Sequence, residues 1–148
     1  MKKILMTIVL LFGVSGGGLA LAEPIAPPVP FTKAYLAKTG KTQKQLDAAR
    51  IKRVPAKEVV GVPAYPGSYF YQSNHGFEKE LISVVLCSQD EPEKVRAWYK
   101  ANYSGNKKIE IKPFTVYEWQ AQIMDIGDMK SEIWIDIKPF KANSGGWK

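Results

Sequence analysis

Residues able to do chemistry are few in this chain. Cys87 is its only cysteine and His75 its only histidine. A thiol attacks only as its thiolate, and a neighbouring imidazole can take the proton. The two are therefore a formal nucleophile and base if a hairpin brings them together. Cys87, however, ends the run Ile82-Ser83-Val84-Val85-Leu86-Cys87, which is apolar and rich in β-branched residues. Such a run predicts a small buried side chain in a strand, not an activated thiol. One histidine and one cysteine also cannot close a zinc site without borrowing carboxylates. No catalytic residue, metal or cofactor is assigned.

Carboxylates are the next candidates. Glu132 and Asp136 flank Trp134 at a spacing that puts all three on one face of a strand, with Ile133, Ile135 and Ile137 on the other. An aromatic ring beside two acids can bind a sugar, or cleave one if the acids exchange protons. Charged residues on an outward strand face are also ordinary. Asp125 and Asp128 lie too close together in a short loop to supply a calcium site alone. Gly40-Lys41-Thr42 has the ending of a phosphate-binding loop, but the glycine required five residues earlier is Tyr35.

The chain carries a net charge of +7, and its distribution is uneven. Between Phe31 and Lys57 lie Lys33, Lys38, Lys41, Lys44, Arg50, Lys52, Arg53 and Lys57, against Asp47 alone. Lys44, Arg50, Lys52 and Arg53 are the candidate contacts to an acidic protein or an anionic envelope surface. A solvated, solubilising face explains the same charge. Nucleic acid is a poor candidate as a partner, because the compartment expected below is the wrong one and no recognition motif accompanies the basic residues.

These residues must be positioned by a modest set of elements. Thr42-Gln43-Lys44-Gln45 forms a capping box that opens a short basic helix over 43–53. Tyr65-Pro66-Gly67 is a turn, followed by a hairpin of strands over 68–73 and 78–88 with Asn74-His75-Gly76 between them. Asp90 is placed to cap the main helix, whose Val95, Trp98, Tyr99 and Tyr103 make one apolar stripe ending near Gly105. Strands are expected over 109–111, 115–123 and 129–138, the last two joined through Asp125-Ile126-Gly127-Asp128. The predicted fold is α+β, with one main helix packed on an antiparallel sheet of about five strands. Surplus aromatics are expected to line the sheet face away from that helix.

The start of the chain carries an address. Lys2 and Lys3 precede an apolar run from Ile4 to Val14, then three glycines and Ala20-Leu21-Ala22. This is the pattern of a secretory leader cleaved before Glu23. It predicts a periplasmic or secreted protein, with a membrane involved only if the leader is retained as an anchor. Glu23, not a cysteine, follows the cleavage point, which argues against a lipid anchor. The expected organisation is a leader over 1–22, a proline-rich spacer over 23–30, a basic segment over 31–60, the α+β domain over 61–141 and a flexible tail over 142–148. An oxidising compartment cannot staple this fold internally, since one cysteine makes no intrachain disulfide.

From Val62 to about Lys138 the chain resembles small exported bacterial domains of unassigned function. The shared features are Tyr65-Pro66-Gly67, then Ser88-Gln89-Asp90, and Val95-Arg96-Ala97-Trp98-Tyr99. The resemblance implies a secreted α+β domain and lends no catalytic role to any position. Three functions fit: a non-enzymatic binding module of the envelope or periplasm, a hydrolase of envelope glycan or peptide using Glu132 and Asp136, and a structural subunit of an exported assembly. The first has the leader, the charge asymmetry and the absent catalytic set in its favour.

Overall fold

A computed structural model describes residues 22–138. The segment expected to be a leader, up to residue 21, and the expected tail over 142–148 lie outside the described residues. The fold is α+β: a four-stranded antiparallel sheet in the order β1-β2-β4-β3, with helices before and between the strands. The strands are β1 (Tyr69–His75), β2 (Leu81–Ser88), β3 (Ile109–Pro113) and β4 (Ser131–Asp136). The helices are α1 (Lys33–Thr39), α2 (Gln43–Arg50) with a 3-10 turn at Ile51–Arg53, α3 (Lys57–Val60), α4 (Pro92–Asn102) and α5 (Glu118–Ala121).

The sheet has four strands rather than five. The segment expected as a strand over 115–123 contains α5, and Asp125–Asp128 is a loop between α5 and β4, not a hairpin turn. The reason lies in the topology. β4 enters between β2 and β3, so both of its edges are already hydrogen-bonded when residues 115–123 look for a partner.

α4 packs on one sheet face as its stripe predicts. Val95 and Tyr99 are buried with Val84, Leu86, Ile111, Ile133 and Ile135, while Trp98 is half-buried against them. Trp98 also meets Tyr65 and Tyr99 edge to face, at centroid distances of 5.5 and 4.9 Å. Such aromatic pairs add about 1 kcal/mol each beyond their burial. Asp90 does not cap α4. Glu91 is the N-cap residue and makes no side-chain cap, and Asp90 instead accepts the Tyr65 hydroxyl at 2.6 Å and the Lys94 ammonium at 3.0 Å. The turn Tyr65-Pro66-Gly67 thereby docks on the start of α4. Gly67 takes φ 75°, and the Ser68 amide donates to the Tyr65 carbonyl at 3.0 Å.

The proline-rich segment is part of the domain, not a spacer. Ile25 and Ala26 are buried in the core under α4, and Val29 is buried on the opposite side with Cys87, Ile126 and Met129. Between them the strand edge is covered: the Phe70 amide donates to the Pro27 carbonyl at 2.7 Å, and the Val29 amide to the Phe70 carbonyl at 3.1 Å. The segment thus wraps the free edge of β1 and joins both sides of the sheet. Prolines suit this place because an extended chain beside an edge strand needs only some of its amides. At the other edge, Pro113 lacks an amide and the Arg96 guanidinium donates to the Ile111 carbonyl at 2.9 Å, so β3 offers little to a further strand.

α1 was not anticipated, although its ends are marked in the sequence. The Thr32 hydroxyl accepts the Tyr35 amide, and Gly40 closes the helix at φ 67°. The capping box at Thr42 and Gln45 forms as expected. Gly40-Lys41-Thr42 is accordingly the turn between α1 and α2, not the mouth of a phosphate loop.

Candidate functional site

The alternation of β4 sorts its side chains as predicted. Ser131, Ile133 and Ile135 are buried, while Glu132, Trp134 and Asp136 are half-buried on the face away from α4. On that face Glu132 lies across from Cys87 of β2 and Lys112 of β3, and Trp134 across from Val85 and Glu110. Over β1 and β2 the face is covered. Tyr69, Tyr71, Phe114, Ala121 and Met124 pack there around Val29, Cys87, Ile126 and Met129, and the Tyr71 hydroxyl donates to Gln120 of α5 at 2.6 Å. Over β3 and β4 it stays open, with Glu110 and Lys112 exposed beside Trp134. The aromatic face expected from the sequence is therefore half core and half surface.

The open half is ordered by its own contacts. The Trp134 indole N–H donates to the Glu132 carboxylate at 2.8 Å, and the Lys112 ammonium sits 4.9 Å from the Trp134 ring centroid. Opposite charges directly across a strand pair and a cation over an indole each contribute up to about 1 kcal/mol at a surface. These side chains consequently have fixed orientations before any partner arrives.

The same geometry separates the candidate chemistry. Glu132 and Asp136 stand four residues apart on one extended strand, about 13 Å along it at ~3.3 Å per residue. Paired glycosidase carboxylates sit roughly 5–9.5 Å apart across a cleft. These two do not form such a pair. Cys87 and His75 are at opposite ends of the hairpin, since Cys87 pairs with Tyr69 and His75 with Leu81. Six residues of strand put them about 20 Å apart. Cys87 is also fully buried, and burial, aided by the Glu132 charge, pushes its thiol up to about 12. It is a core side chain that stays protonated. Among the described residues no three His, Cys, Asp or Glu side chains converge on a point that could hold a metal ion.

The four basic candidates divide. Lys44, Lys52 and Arg53 are exposed and join no ion pair among the described residues. Arg50 is structural. Its guanidinium donates to the Val29 carbonyl and, at 2.8 Å, to Asp47, and it lies 4.0 Å above the Phe31 ring. It clasps the wrapped N-terminal segment to α2 and is not free to meet a partner. α2 also holds that segment through Gln43, which accepts the Phe31 amide at 3.0 Å.

Comparison with known protein families, curated proteins and solved structures finds no match to this chain. The site must be judged on its own geometry.

Two features escaped the sequence reading. Val116, Tyr117 and Trp119 around α5 are exposed at 45, 53 and 63%. Phe77, at the tip of the β1–β2 hairpin, is wholly exposed. The strand-forming residue types of 115–123 hid the first. A helix there turns alternate positions out of the core. Elsewhere, an open groove of about 540 Å³ lies between Ala26-Pro27 and the Val62–Ser68 turn, with Lys57 as its charged side chain. Its ionisable lining groups, Lys57 and Tyr65, are engaged by Glu23 and Asp90.

Proposed function

We propose that this chain is an exported, non-enzymatic binding module of the bacterial envelope or periplasm, which docks a protein or an anionic envelope component through the open half of its sheet. The leader pattern at the N-terminus supports export. No helix among the described residues is long and apolar enough to cross a membrane. The observation that carries the reading is Trp134, half-buried and held by Glu132 and Lys112 on an uncovered sheet face. Binding surfaces concentrate their energy in a few aromatic anchors whose ordering is already complete. Separation of Glu132 from Asp136, and of Cys87 from His75, leaves neither pair placed to act together on a substrate, and Cys87 is buried in the core.

The basic segment supplies steering. Exposed lysines raise the rate of encounter with an anionic partner and lose that effect as salt rises. A pulldown from envelope extracts tests both parts: Trp134→Ala with Lys112→Glu should abolish retention of the partner while the domain stays folded, at a cost of about 2 kcal/mol from the two lost contacts. Lys44→Gln with Lys52→Gln and Arg53→Gln should weaken it mainly at low salt. Retention unaffected by the first pair would remove the sheet face from the reading.

A further inference from the structure

We propose that α5 and the basic α1–α2 segment together form a peripheral docking surface for an anionic phospholipid bilayer. This rests on the reading of the chain as an envelope binding module, and it names one component of that envelope.

The two parts are joined in the fold. The Thr32 hydroxyl, which caps α1, also donates to the Gln122 carbonyl at the end of α5 at 2.9 Å, and the Thr32 amide donates to the Ile123 carbonyl at 2.9 Å. Lys33 therefore begins one residue from the end of α5. On the α5 side stand the exposed Val116, Tyr117 and Trp119. Gln120 and Ala121 turn the other way, into the sheet, so the aromatic residues are not needed to hold α5 in place.

Charge decides the occupant. Lys33, Lys38, Lys41, Lys44, Lys52 and Arg53 are all exposed. The one acid of the segment, Asp47, is taken by Arg50 and by the Gln43 amide at 2.8 Å, so it cancels none of the six. Glu118 is the single acid on α5. Tryptophan and tyrosine prefer the headgroup region, where one end of the ring is wet and the other apolar. Each lysine near an anionic leaflet tightens binding about fivefold. A scattered lysine set on two short helices, beside an aromatic wedge, suits a fluid anionic surface more than a shaped acidic protein. Such docking needs no membrane span and no retained leader.

The test uses a chain starting at Glu23, which holds every described element, with vesicles of phosphatidylglycerol and phosphatidylcholine and with phosphatidylcholine alone. Sedimentation should show binding to the anionic vesicles that falls steeply with salt. Tyr117→Ala with Trp119→Ala should weaken it at least about tenfold, and Lys33→Gln or Lys38→Gln about fivefold each, at unchanged urea midpoints. The blue shift of tryptophan emission on vesicle addition should vanish in Trp119→Phe. Equal binding to both vesicle types, or full binding by the Tyr117/Trp119 double variant, overturns the proposal. If the chain ignores vesicles while a crosslinker at position 110, across from Trp134, still captures an envelope protein, this inference fails and the binding-module reading stands. Silence in both assays removes both.

Discussion

Arg50 offers the sharpest test of how the basic segment is built. Were it a docking residue, its removal would leave stability unchanged; in the structure it is a clasp, so removal must loosen the domain. Arg50→Ala deletes a partly buried charged hydrogen bond to the Val29 carbonyl, the ion pair with Asp47 and the contact with the Phe31 ring. These contribute about 1.5–3 kcal/mol for the first, about 0.4 for the second and about 1 for the third. Freed rotamers return about 1–2 kcal/mol, and relief of the buried, unpaired Nε of Arg50 returns a little more. The net loss is about 2 kcal/mol. Urea unfolding should show it, with Lys44→Ala and Lys52→Ala within about 0.5 kcal/mol of wild type. Amide exchange at Val29 and Thr32 should accelerate more than at Leu86, because the clasp holds the wrapped segment rather than the central strand. Arg50→Lys should recover less than half of the loss, since an ammonium cannot reach Val29 and Asp47 as a planar fork does. A stability change under about 0.5 kcal/mol in Arg50→Ala would refute this reasoning and return Arg50 to the binding surface.

Further consequences concern pH and backbone. Burial pushes Tyr65 and Cys87 up to about 12 and raises Tyr99 as well. In the unfolded chain these groups lose protons from about pH 8.5 to 10. The folded state holds them longer, so stability should fall as pH rises through that range, by up to about 1.4 kcal/mol per pH unit for each group. Urea midpoints between pH 8 and pH 11 check this, and Cys87→Ala should delay the onset. Asp90 shows the opposite sign. Its hydrogen bonds from Tyr65 and Lys94 hold its carboxyl below the usual range, so its contribution is complete above about pH 4 and is lost as pH drops through the lowered value. Asp90→Asn should flatten the acid limb of the stability profile. Gly67→Ala meets no atom within 4 Å of the new methyl, so its cost is conformational, about 1–2 kcal/mol for a left-handed position, and thermal unfolding measures it.

Local signals carried much of this fold. The capping box at Thr42, the turn at Pro66-Gly67, the stripe of α4 and the alternation of β4 each bind neighbouring residues in sequence, so their patterns survive into the structure. What escaped depended on contacts distant in the chain. Nothing near Pro27 announces that its carbonyl will meet the Phe70 amide, and four prolines in eight residues read equally well as a free spacer. Residues 115–123 have the composition of a strand, but β4, the strand that follows them, is already paired on both edges with β2 and β3. The candidate site follows the same division. The shared face of Glu132, Trp134 and Asp136 was legible from period two, whereas its half-covered state depends on α5 and on Val29, and Arg50 changed role because of a carbonyl twenty-one residues away.

The central claim is that the open sheet face around Trp134 meets a partner in the envelope. Placing a photo-crosslinking residue at position 110, directly across from Trp134 on the open face, in the full chain at native expression in intact cells, tests it most directly, with Lys100 on the outer side of α4 as the control position. The account predicts a reproducible adduct from position 110 that is absent from position 100 and lost on Trp134→Ala. No adduct from position 110, or equal adducts from both positions, would contradict it.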